Sequence, residues 1–161
     1  MEKKSSVIAS VDPGNAGAVA WIDCNGQKHV QNMPDTPRGI LDLFRQIFDA
    51  VPFPECVDNV CYLEDVGRGI PGQSSSATAT FARHNGHLEM ALMALDVKIV
   101  KVIPSKWEKT MGIGKSSDCA SKAEWKRKLK QKAEELYPMF KVTLKNADAL
   151  LLLSYAEKQE K

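Results

Sequence analysis

The sequence predicts an α/β fold, a five-stranded mixed sheet flanked by helices. Two observations predict it. Short apolar or alternating segments open the chain and are joined by tight turns, and strand-like and helix-like segments then alternate. At 161 residues the chain is read as one domain, 1–161, long enough to bury its own core.

The first strand, VIASV at 7–11, is small and β-branched, as a buried strand requires. Asp12 stands at its edge, ahead of Pro13, Gly14, Asn15 and Gly17. Residues 17–23 alternate well enough for a second strand. Asn25-Gly26 marks a hairpin turn because both positions tolerate positive φ, and residues 28–33 form the returning strand. Thr36-Pro37 reads as an N-cap followed by proline at the first helical position, with Ile40, Leu41, Phe44, Ile47 and Phe48 recurring at helical spacing. Pro52 and Pro54 close that helix, and NVCYLE at 59–64 is a fourth strand, again ending in acid.

GRGIPGQSSS at 67–76 is a Gly- and Ser-rich loop. Residues 77–95 form a helix with Phe81, Leu88, Leu92 and Leu95 on one stripe. Gly86 inside it costs about 1 kcal/mol relative to Ala and suggests a close helix approach. VKIVKVI at 97–103 is the fifth strand, and 104–120 is a long connection. Ser121-x-x-Glu124 is a capping box opening a helix with Trp125, Leu129, Ala133 and Leu136 toward the core and Lys122, Lys126 and Lys130 on another face. The final helix runs from about 144 to 158, with Asp148, Leu151, Leu152 and Tyr155 on one face.

Charge is unevenly spread. The chain carries +2 overall, but residues 98–132 hold ten lysines and Arg127 against Glu108, Asp118 and Glu124, a net +8. Such a segment suits a polyanion, with a solvated helix face as the plainer alternative. The four cysteines, Cys24, Cys56, Cys61 and Cys119, show no CxxC spacing and are read as free thiols. His84 and His87 have no partner Cys or HExxH pattern and are not read as a metal site. No apolar run approaches the roughly 18 residues of a membrane span, and the start MEKKSS precedes too short an apolar stretch for a signal peptide, so the expected location is the cytoplasm.

Asp12, Glu64 and Asp148 are the chemistry-bearing candidates. A lone buried carboxylate is costly unless paired or bound to a cation. If the first and fourth strands are adjacent and the last helix packs across them, the three form an all-oxygen site for Mg²⁺ or Mn²⁺. Two such ions about 3.5–4 Å apart can activate a water and stabilise the leaving oxygen of a phosphodiester. Alternation sends Glu64 and Asp65 to opposite faces without saying which one faces the site.

The ordered set VIASVDPGNAGAVAWID, YLED, IPSKW and KNADALLLL resembles the RuvC-like Holliday-junction resolvases of the ribonuclease H-like superfamily, from about Val7 to Tyr155. The loop and IPSKW are also similar to the chloroplast resolvases of that superfamily. The resemblance implies a ribonuclease H-like sheet, a homodimer formed through the 81–95 helix, and a metal-dependent endonuclease that resolves four-way DNA junctions by paired nicks. It implies Asp12, Glu64 and Asp148 as metal ligands, Glu64 being preferred over Asp65 because of its place after Tyr62-Leu63. The family generally carries a fourth acid or histidine about one helical turn before the last Asp; this chain has Lys145 there, taken as a catalytic candidate that shares a helix face with Asp148. Lys106, Lys115, Lys126 and Lys130 are candidate phosphate contacts, and Arg68, Ile70 and Gln73 candidate contacts to the junction centre. Another ribonuclease H-like nuclease on structured nucleic acid, and a non-cleaving junction-binding protein, are the alternatives.

Overall fold

The computed structural model describes residues 6–49, 58–67 and 72–161. Its sheet has five strands, β1 (Ile8–Asp12), β2 (Ala18–Ile22), β3 (Lys28–Asn32), β4 (Val60–Glu64) and β5 (Lys98–Val102), in the order β3-β2-β1-β4-β5. The first three are joined antiparallel by hairpins, while β4 and β5 run parallel to β1. Parallel pairing needs crossovers. Helix α1 (Pro37–Phe48) lies in the connection from β3 to β4, and α2 (Ser75–Ala94) in that from β4 to β5. Three helices follow β5: α3 (Pro104–Glu108), α4 (Lys122–Leu136) and α5 (Ala147–Gln159).

Strand alternation divides the core into two. Val7, Ala9, Val11, Cys61 and Leu63 face α1 and α2, whereas Ala18, Ala20, Val60, Tyr62 and Val102 face α3, α4 and α5. Helix α5 is buried on every side from Ala147 to Ala156, because the sheet covers one flank and α4 the other. The single apolar stripe expected for it is therefore too narrow, and the run ALLLL suits a helix enclosed all round. Ser10 Oγ donates to the Ala149 carbonyl at 2.7 Å and pins α5 to β1.

The two helix caps predicted from the sequence, at Thr36 and Ser121, are made by their side chains. Thr36 Oγ1 accepts from Gly39 N at 3.0 Å, and Ser121 Oγ accepts from Glu124 N at 3.2 Å. The return half of the second cap is displaced by one residue: Glu124 Oε2 accepts from Ala120 N at 2.8 Å. The hairpin from β2 to β3 is wider than a two-residue turn. Asp23 Oδ1 accepts from the backbone N of both Asn25 and Gln27 at 2.9 Å, and only Gly26 takes positive φ.

Several expectations are corrected. The connection 104–120 contains α3 and two 3-10 turns, at Lys109–Met111 and Ser116–Asp118. Trp107 and Met111, four residues apart, anchor it in the core beneath α4 and α5, and two apolar residues are too few to register as a period. Leu136 is 39% exposed, and Tyr137 ends the buried stripe of α4 instead, because it continues the i, i+4 row of Trp125, Leu129 and Ala133. Gly86 has open space where a Cβ would stand, so no close helix approach requires it. The last helix begins at Ala147, three residues later than expected; Asn146 closes the preceding turn by accepting from Thr143 N at 2.8 Å. Pro52, Pro54 and Cys56 lie outside the described residues.

Candidate metal centre

The two central strands bring two of the acids together. Val11 pairs with Leu63 across the parallel β1–β4 ladder, and Asp12 and Glu64 are the next residue on each strand. They have the parity of Ser10 and Tyr62 and so face α5. Asp65 has the other parity. It accepts from Gly67 N at 3.1 Å and lines a cleft of about 580 Å³ with Gln73, Phe81, Asn85, Glu89 and Lys101 on the α2 side.

The turn after Asp12 has a packing reason for its glycines. Gly14 takes φ +104°, and Gly17 donates to its carbonyl at 3.0 Å. A Cβ on Gly17 would lie 2.0 Å from the Asp12 carbonyl oxygen, so only glycine lets the chain fold back over the strand end that carries the carboxylate.

Asp148 enters from the first turn of α5, where the helix dipole favours negative charge. The first turn lies over the ends of β1 and β4. One carboxylate oxygen each from Asp12, Glu64 and Asp148 lies within 4.8 Å of the others. Glu64 and Asp148 are buried, and Glu64 Oε2 and Asp148 Oδ1 have no hydrogen-bond partner. Burial, and then the charge of Asp148, pushes the Asp12 carboxyl up to about 7 against the partial relief of Lys126. Burial with Asp12 and Asp148 pushes Glu64 up to about 9. A set of carboxylate oxygens that cannot comfortably ionise together, two of them unpartnered, fits a hard divalent cation.

Two further groups belong to this centre. Lys126 Nζ, from the second turn of α4, donates to Asp148 Oδ2. The charges of Asp148, Asp12 and Glu64 outweigh the cost of burial and raise its pKa. Glu108, at the end of α3, accepts from Trp125 Nε1 at 3.4 Å, and burial together with the charge of Asp148 raises its pKa. In the sequence Glu108 stands out only as a charge within the basic segment. Its position after the buried Trp107 was the available signal, but nothing local says that α3 lies beside α5.

Of the remaining candidates, Lys106 and Lys115 are exposed on the α3–α4 segment, and Lys130 pairs with Glu134 on its own helix. Gln73 is exposed ahead of α2 and accepts from Thr78 Oγ1 at 3.4 Å. Lys145 is exposed in the turn before α5, where its backbone N donates to Thr143 Oγ1 at 3.3 Å. It is not on the helix, so the shared-face relation to Asp148 does not hold, and the cation brought to Asp148 is Lys126. Arg68 and Ile70 lie outside the described residues. His84 is buried on α2 with Nε2 unpartnered and its pKa lowered by burial and His87. No helix among the described residues is long and apolar enough to cross a membrane.

The five-stranded mixed sheet with helices on both faces is the ribonuclease H-like fold. More particularly, it is the fold of RuvC. A structure of T. thermophilus RuvC in complex with a Holliday junction substrate matches 96% of this chain and 95% of its own at a TM-score of 0.60 and 12% identity. A further Thermus thermophilus RuvC structure matches the same shares at a TM-score of 0.56 and 14% identity. No protein-family model matches the sequence, and no curated protein does.

Proposed function

We propose that the protein is a metal-dependent endonuclease that resolves four-way DNA junctions by paired nicks from a homodimer. The observation that carries this is the meeting of Asp12, Glu64 and Asp148 at one end of the central strands, in a fold shared with a resolvase solved on a junction. The three carboxylates would hold Mg²⁺, with Mn²⁺ as a substitute. When bound, the cation supplies Lewis-acid polarisation of a phosphodiester and lowers the pKa of water.

The chain's own groups do the rest. Asp12 and Glu64, on adjacent strands of a hydrogen-bonded ladder, fix the donor oxygens with little freedom. Asp148 closes the set from a helix that Ser10 ties to β1. Lys106, Lys115 and Lys130 hold DNA phosphates flanking the centre, and Lys126 supplies positive charge beside it. Gln73, Arg68 and Ile70 are assigned to the junction centre, and the exposed Met90 and Met93 side of α2 to the dimer contact.

A labelled synthetic four-way junction and a matched linear duplex, each with Mg²⁺ and with EDTA, test the proposal. Symmetric nicks on the junction alone, dependent on Mg²⁺ and lost in Asp12→Asn with binding retained, are expected. Tight junction binding with no cutting in Mg²⁺ or Mn²⁺ would make this a binding protein, and equal cutting of the duplex would make it a general nuclease.

A further inference from the structure

We propose that Lys126 is an internal counter-ion of the acidic centre, so that the Lys126–Asp148 pair and a bound divalent cation exclude one another. The inference rests on reading the triad as a metal centre.

One oxygen from each of three carboxylates lies within 4.8 Å of the others, and among the described residues Lys126 is the lysine that pairs with one of them. Its ammonium engages Asp148 Oδ2, while Asp148 Oδ1 and Glu64 Oε2 stay unpartnered. One monovalent cation therefore compensates a cluster whose charge and lone pairs call for more. A divalent ion ligated by Asp148 would stand beside that ammonium, and two cations on one small carboxylate repel strongly in a site shielded from water.

The exposures of the two partners say which one moves. The Asp148 side chain is 8% exposed and sits on the enclosed helix α5, whereas the Lys126 side chain is 49% exposed and reaches in from the surface of α4. Rotation of the long lysine stem carries its ammonium into water without disturbing either helix. Departure on its own would strand a buried carboxylate, so Lys126 leaves when another cation arrives. The neighbouring lysines of α4 stand apart from this exchange: Lys130 pairs with Glu134, and Lys122 is exposed at the first helical position.

Mn²⁺ binding to the full chain without DNA, followed by electron paramagnetic resonance and by calorimetry, tests the exchange. Neutral Lys126→Met and Lys126→Gln should each bind Mn²⁺ about tenfold more tightly than the wild type, within the usual range for coupling between two sites. Both should melt at lower temperature than the wild type in EDTA and gain more from saturating Mn²⁺. Lys126→Arg, which keeps the charge, should retain an affinity near that of the wild type. Lys122→Met should change affinity by no more than about twofold, since a charge one turn away acts only through a screened field. Wild-type Mn²⁺ affinity in both neutral variants would overturn the exchange while leaving the metal centre standing, as would an equal gain in Lys122→Met. Absence of Mn²⁺ binding in every protein would overturn the metal centre and the exchange with it.

Discussion

Replacing Glu64 by Gln should make the metal-free protein more stable, although it removes a ligand. The folded state pushes the Glu64 carboxyl from 4.5 up to about 9, through burial first and then Asp12 and Asp148. The folded protein therefore binds a proton that the unfolded chain releases, and stability falls as pH rises from about 4.5 toward 9. At pH 7 this cost is about 3 kcal/mol, at 1.36 kcal/mol for each unit between the unfolded pKa and the pH. Gln resembles the protonated acid in shape and carries no such cost, but it keeps a buried polar group. A net gain of about 1.5 kcal/mol would raise Tm by about 3–6 °C for a chain of this size. The assay is thermal unfolding in EDTA from pH 5 to 9. The variant should melt slightly below the wild type near pH 5 and increasingly above it from about pH 6 upward, as the ionisation cost of Glu64 grows past that of the buried amide. In saturating Mg²⁺ the order should reverse, because the ligand stabilises whichever folded state binds it better. A Glu64→Gln protein that melts at or below the wild type in EDTA at pH 8 would refute the electrostatic account of the centre.

Three other outcomes are expected. Combined Lys106→Ala, Lys115→Ala and Lys130→Ala should lower the slope of log affinity for duplex arms against log salt by about 2.7, at about 0.9 per phosphate contact; an unchanged slope would leave the basic segment a solvated face. Lys145→Ala should leave the single-turnover cleavage rate within about twofold across a Mg²⁺ titration, because Lys145 is exposed in the turn before α5 and Lys126 is the cation on Asp148; a tenfold loss, roughly 1.4 kcal/mol of transition-state stabilisation, would return Lys145 to the centre. Leu150→Ala, at a fully buried position of α5, should cost about 2–5 kcal/mol by urea unfolding and so lower the occupancy of the folded centre.

The sequence by itself determined the strands, most helix starts and the placing of acids at two strand ends. These are short-range matters. A β-branched run, a hairpin turn or a Ser-x-x-Glu cap acts within a few residues, so the capping contacts of Thr36 and Ser121 appear where the residues put them. Resemblance to a resolvase family added which acids belong together and chose Glu64 over Asp65. Only the tertiary structure decided the neighbours. The sheet order sets β4 beside β1 and so places Glu64 level with Asp12, although 51 residues of chain lie between them. Packing of α4 over α5 brings Lys126 to Asp148, a contact that no periodicity encodes and that turns an expected phosphate contact into a partner of the acids. The late start of α5 takes Lys145 off the helix, because the Asn146 side chain closes a turn that propensity alone would have continued. Glu108 reaches the centre for the same reason that Trp107 is buried: α3 is held against α5 by side chains that local pattern reads as a loop. Adjacency is a property of layers, and layers are settled by which faces bury each other, far along the chain from the residues that gain the contact.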